Sequence, residues 1–222
     1  MPFVLALIAV FEQTVDAGPS HIRVGLLVGR NPAVARAVVT GAIEEAAAVW
    51  AQYGVSVVEI PSPPSQSWPT DAVLSVELSD RPISGGASAR AGETSLAAIR
   101  FAKDGSPTNQ IELFYPGVMR LATMLGVRDR LAPRMAGRVL AHEIGHFLLR
   151  SPRHASDGLM VAVHRAAELA NTDRGLFVLA TAEVARLHGL WLPTRDCPVR
   201  ATALSRGTPF GTARSVRPPP TR

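Results

Sequence analysis

Leu140 to Met160 run LAHEIGHFLLRSPRHASDGLM, and the spacing of the histidines in this stretch decides how the rest of the chain is understood. His142 and His146 are four apart, so on a helix both imidazoles leave one face, a single turn apart, and can grip one ion. Glu143 follows the first histidine. Beside the ion's open position its carboxylate could take a proton from an attacking water and pass it to a leaving amine. Zinc suits such a pair best, because imidazole is among its preferred ligands and catalytic zinc sites use three protein ligands.

The third ligand is expected to be His154. On a continued helix it would lie roughly 12 Å along the axis from His146, out of reach of a shared ion. The chain must therefore stop and turn. Pro152 supplies the stop, since it lacks an N–H and pushes Ser151 out of the helical region, so the helix should end near Arg150. The run Ser156-Asp157-Gly158-Leu159-Met160 then begins with turn formers and ends apolar. His164, His188 and Glu168 are the rival third ligands.

HEIGHFLL, followed by His154 and then by Gly158-Leu159-Met160, resembles the active-site helix, third histidine and Met-turn of the metzincin zinc peptidases, most nearly the matrixin-like branch. The resemblance implies that His142, His146 and His154 are metal ligands, that Glu143 is the general base, and that Met160 packs beneath the metal. The family pattern HExxHxxGxxH has glycine where Leu149 stands and histidine where Pro152 stands. The third histidine is thus two residues late, and Ser151-Pro152 would have to make the turn that glycine normally allows. Met160 keeps about the family's distance from the first histidine. Thermolysin-like peptidases instead take a glutamate from a later helix, and His142-Glu143-His146 fits that class as well, with Glu168 as its third ligand. The tyrosine that some metzincin branches place just past the Met-turn is absent, leaving Tyr115 as a conceivable oxyanion stabiliser.

The chain has 222 residues, 47% of them hydrophobic, which is ample for a core in a single globular domain. Its net charge of +5 comes almost wholly from arginine, with Lys103 the only lysine. The arginines are spread along the chain without a dense basic block, so no nucleic-acid partner is expected. Cys197 is alone, which rules out an intrachain disulfide and cysteine-based zinc sites.

Residues 1–17 form an apolar N-terminal segment. FVLALIAVF, residues 3–11, is too short to span a bilayer but fits the core of a signal peptide, with Val15 and Ala17 before a cut. The expected destination is secretion or the periplasm, and the cytoplasm if the run is an ordinary strand. Residues 20–192 form the expected catalytic domain, and the Pro- and Arg-rich residues 193–222 a disordered tail.

Within the domain His21–Val28 reads as a buried strand, and His21 as a lone surface histidine. Asn31-Pro32 reads as a helix cap, and Ala33–Gln52 as a helix ended by Gly54. Val55–Ile60 and Ala72–Leu78 follow as strands, separated by a loop that contains Trp68. Residues 80–94 are expected to form a long connection, and Ser95–Ala102 and Ile111–Tyr115 two further strands. A long helix from about Leu131 to Arg150 carries the motif. Its apolar residues spread over most of its sides, which marks it as buried, and Gly145 suggests a neighbouring backbone packed close beside His146. A terminal helix capped at Thr181, or starting earlier, completes the order.

The expected fold is α+β: a twisted mixed sheet of four to five strands with two long helices, the second carrying the motif, then the Met-turn and the C-terminal helix. The expected function is zinc-dependent hydrolysis of peptide bonds in a peptide or protein substrate by a monomer. A non-catalytic metal-binding or structural relative is the alternative. The resemblance further implies that one antiparallel edge strand borders the cleft and that substrate adds to it, either of the strands near Ser95–Ala102 and Ile111–Tyr115 being that edge.

Overall fold

The computed structural model describes residues 22–61, 69–83, 95–126 and 128–192. The N-terminal apolar segment, His21, Trp68, most of the 80–94 connection and the 193–222 tail lie outside the described residues. The element order is β1 (Ile22–Val28), α1 (Arg36–Ala51), β2 (Val55–Glu59), β3 (Ala72–Ser79), β4 (Ala97–Phe101), β5 (Pro107–Phe114), α2 (Tyr115–Met124), α3 (Arg128–Leu148), α4 (Ala166–Ala170) and α5 (Thr181–Trp191).

The five strands form one mixed sheet in the order β2-β1-β3-β5-β4. The pairs β1–β2, β1–β3 and β3–β5 are parallel, and β4 runs antiparallel to β5. This is the expected α+β class, and β1, paired in parallel on both sides, is apolar at every position but Arg23. Of the two candidate edges, β4 is the edge strand and β5 lies inside it.

Three boundaries depart from the sequence reading. Asn31 does not cap α1. Its Oδ1 accepts the Ala33 N–H at 2.9 Å while its Nδ2 donates to the Leu78 carbonyl at 2.9 Å, so the residue ties a turn to β3 and the helix starts only at Arg36. Tyr115 does not end a strand but begins α2, a helix with Pro116 in its first turn, where the missing N–H costs nothing. The motif helix starts at Arg128 and ends at Leu148, two residues before the expected stop. Thr181 is the first residue of α5, with Ala180 as its cap.

α1 and α3 cross in close contact, because two glycines let their backbones approach. A Cβ on Gly41 would lie 2.8 Å from Pro133, and one on Gly137 would lie 2.5 Å from the Ala42 carbonyl oxygen. Trp50, fully buried on α1, donates from Nε1 to the Ala141 carbonyl at 3.0 Å, one residue before His142. That bond fixes the motif helix against the layer behind it. Among the described residues no helix is long and apolar enough to cross a membrane.

One buried ionic cluster stitches the later chain to these two helices. Arg138 on α3, with no exposed surface, donates from Nε to Glu45 of α1 at 3.0 Å, and its other nitrogens reach the carbonyls of Glu168, Leu169 and Asp173. Its guanidinium also lies over the Phe177 ring, 4.3 Å from the centroid. Glu45 accepts two more hydrogen bonds from Arg174.

Candidate metal centre

His142 and His146 project from one face of α3, their rings edge to face with centroids 4.7 Å apart. The chain brings His154 back to them by a sharp stop. The Ser151 N–H bonds to the His146 carbonyl at 3.2 Å, the Arg150 N–H to Phe147 at 3.2 Å, and Arg150 itself takes φ 46°. These two bonds and the left-handed residue make a Schellman ending. The turn expected of Ser151-Pro152 is therefore made at Arg150, an arginine in a conformation that glycine usually supplies.

Donors from α5 offset that cost. Arg186 bonds the Leu149 carbonyl at 2.6 Å and the Arg150 carbonyl at 3.2 Å, and Trp191 Nε1 bonds the Leu148 carbonyl at 2.8 Å. The last carbonyls of α3, orphaned by the helix end, are thus satisfied by side chains of the terminal helix. Nothing in the spacing of residues 181–191 announced this role.

The three imidazoles converge. His146 Nε2 lies 3.1 Å from His142 Nε2 and 3.2 Å from His154 Nε2. Backbone carbonyls fix the tautomers of the first two rings, for His142 Nδ1 bonds Leu159 O at 2.8 Å and His146 Nδ1 bonds Ser151 O at 2.7 Å. A carbonyl only accepts, so each Nδ1 carries the proton and each Nε2 presents a lone pair to its neighbours. Facing lone pairs at this distance repel unless a cation lies among them. Two nitrogens on one tetrahedral zinc, each about 2.0–2.1 Å from it, are roughly 3.3 Å apart, close to the spacing here. The ligand atoms of His142, His146 and His154 could hold a metal ion. Burial favours the neutral, ligating form. It pushes His142 down to about 3, helped by the neighbouring His146, and His146 down to about 4, and it also lowers His154.

Glu143 stands beside them, 6% exposed. Burial raises its carboxyl to about 7, against an opposing hydrogen bond from the Ile99 N–H to Oε2 at 2.8 Å. The donor is available because of the sheet's pleat. The Leu96 carbonyl accepts from Phe114 on the β5 side, so the odd-numbered backbone groups of β4 point to the open edge. Ile99 thus offers its N–H to the cleft. The sequence reading named this strand but not this contact.

Met160 is fully buried, and its side chain fills the space above Gly145, where an added Cβ would run into the sulfur. The close neighbour expected at Gly145 is therefore this methionine side chain and not a backbone. The turn before it is held by Ala155 N–H to the Met160 carbonyl at 2.8 Å and Leu159 N–H to the Val178 carbonyl at 2.8 Å. Gly158 takes φ 76° in that turn, with the Val178 carbonyl against the place of a Cβ.

The rival ligands stand elsewhere. Glu168 is bound to the start of α4, its Oε2 accepting the Arg165 N–H at 2.9 Å. His188 is exposed on α5. His164 approaches the group but bonds through Nε2 to the Leu159 carbonyl at 3.2 Å. Tyr115 does not line the cleft over the histidines. It borders a separate depression with Asp80 and Met119, away from the place that an oxyanion stabiliser would need.

The cleft has a volume of about 440 Å³. Its lining includes β4 and the two residues before it, Ser95 and Leu96, as well as the segment Val161–His164 after Met160. Leu96, Phe114, Val139 and Leu169 give the same cleft an apolar part of its lining.

Fold and site together describe a mixed α+β protein with a three-histidine centre competent to hold a metal at the foot of an open sheet edge. Among solved structures the chain is similar to archaemetzincin from Methanopyrus kandleri, at 15% identity and a TM-score of 0.46, over 79% of this chain and 97% of that one. No protein-family model matches the sequence, and neither does any curated protein.

Proposed function

We propose that this protein is a zinc-dependent endopeptidase of metzincin type. The observation that carries the reading is the convergence of three imidazole nitrogens beside a buried carboxylate, in a cleft walled by an open strand edge. His142, His146 and His154 would hold the ion, with the carbonyls of Leu159 and Ser151 orienting the first two rings. A zinc ion there would polarise the carbonyl of the peptide and make water acidic enough to attack it near neutral pH.

Glu143 accepts the proton of the attacking water and returns it to the nitrogen of the breaking C–N bond, so that a carboxylate and an amine leave. Its two oxygens divide the work. Oε2 is held by the Ile99 N–H, which fixes the carboxylate's direction and leaves Oε1 for the water in the cleft that Glu143 lines. β4 presents its outward backbone groups to an extended substrate, which would pair with them as a further strand. The apolar lining of the cleft at Leu96, Phe114, Val139 and Leu169 favours a peptide with an apolar side chain next to the scissile bond.

Glu143→Gln tests the mechanism, because the ligands remain and the proton acceptor is lost. Zinc content should be unchanged while cleavage of a peptide library falls by about 10² to 10⁴-fold. Equal turnover by the variant would overturn the mechanism.

A further inference from the structure

His164 is a histidine that the three-ligand centre leaves over but that lines the same cleft, and its ring is held from two sides. The ring stands edge to face with His142 at 5.9 Å between centroids. It packs against Phe177 at a tilt of 32°, centroids 5.0 Å apart, and Phe177 is itself fully buried beneath the Arg138 guanidinium. Its Nε2 donates to the Leu159 carbonyl, the same oxygen that fixes the tautomer of His142. Ring plane and ring rotation are therefore both set before any ligand arrives.

That hydrogen bond also decides what the other nitrogen can do. With the proton on Nε2, Nδ1 carries a lone pair and can only accept. Among the described residues the hydrogen bond of His164 runs through Nε2, and no buried side-chain nitrogen or oxygen lacks a partner. Nδ1 is then left for solvent, and His164 is one of the residues that line the cleft. The result is a fixed acceptor beside the candidate centre.

We propose that His164 is a substrate-contacting residue whose Nδ1 accepts the N–H of the scissile peptide nitrogen. The inference rests on the peptidase reading above and adds the group that holds the leaving side of the bond. No proton moves to His164. As Glu143 delivers a proton to that nitrogen, its N–H becomes a stronger donor, so the contact tightens during the reaction and favours expulsion of the amine.

Two phosphorus-containing peptide analogues separate this from a structural role without requiring turnover. One is a blocked Ala-Leu peptide with a phosphonamidate in place of the scissile amide, which keeps the N–H. Its twin carries an ester oxygen there. Calorimetry on the zinc-loaded protein should find the N–H analogue bound at least tenfold tighter than the oxygen twin. His164→Phe keeps a ring on Phe177 but removes the acceptor, and should bring the two affinities within about threefold of each other. His164→Asn, whose side-chain oxygen falls near the place of Nδ1, should restore part of the difference. Zinc content should match wild type in both variants. Equal affinities in wild type, or a preference unaltered by His164→Phe, would overturn the role of His164 and leave the peptidase reading standing. A wild type that takes up zinc and binds neither analogue would overturn both.

Discussion

Replacing Arg138 with methionine should cost about 4 kcal/mol of folding stability, and the structure says where the loss arises. The guanidinium has no exposed surface and its partner Glu45 only 8%, so the pair is cut off from water. Removing one member of such a pair costs about 3–5 kcal/mol, because the other charge stays buried. The carbonyls of Glu168, Leu169 and Asp173 lose a donor as well, and Phe177 loses the cation over its ring. These losses overlap, and Arg174 still bonds Glu45, which holds the total near the middle of that range. Against a domain stability of about 5–15 kcal/mol the effect is large. Arg174→Ala removes a partner that is 49% exposed and should cost no more than about 1 kcal/mol. Urea unfolding at constant m-value measures both variants, and Glu45→Leu combined with Arg138→Met should recover part of the loss. A cost below about 1 kcal/mol for Arg138→Met, or equal costs for the two arginines, would refute the assignment of Arg138 as the buried hub.

Two further substitutions probe the centre through stability. Burial holds Glu143 at about 7, above its unfolded value, so in the metal-free protein its contribution is fully present below an unfolded pKa of about 4.3 and is lost as pH rises towards 7. Metal-free wild type should lose up to about 3 kcal/mol across that window relative to Glu143→Gln, and parallel pH profiles of the urea midpoint would count against a buried carboxylate. Gly158→Ala forces a side chain onto a residue at φ 76° with the Val178 carbonyl in its path. It should cost about 2–4 kcal/mol and weaken zinc binding through the displaced Leu159 carbonyl, whereas an unchanged melting temperature would show that the turn can yield.

The sheet, the two long helices and the convergence of three histidines were legible because each rests on short-range pattern. Apolar runs gave the strands, and a four-residue spacing gave two histidines on one helical face. What escaped depended on partners far away in sequence. α2 was hidden because Tyr115 and Pro116 follow a strand directly, and an apolar strand end cannot be told from a helix start by periodicity. Arg150 at positive φ is stabilised by Arg186 and Trp191, some forty residues on, so the local sequence pointed instead to Ser151-Pro152. The Glu45–Arg138 pair left a usable trace: one acid and one base, each interrupting the apolar stripe of a buried helix. Ile99 contributes a backbone N–H, which residue type does not encode.

The central claim, that His142, His146 and His154 together hold the ion Glu143 works beside, is tested most directly by zinc titration of two single variants against a fluorescent chelator. His154→Ala should lose tight zinc binding, because two imidazoles remain where a catalytic zinc site needs three ligands. Glu168→Ala should bind as wild type does, since that carboxylate is occupied at the start of α4. The reverse result, zinc retained without His154 and lost without Glu168, would contradict the three-histidine centre.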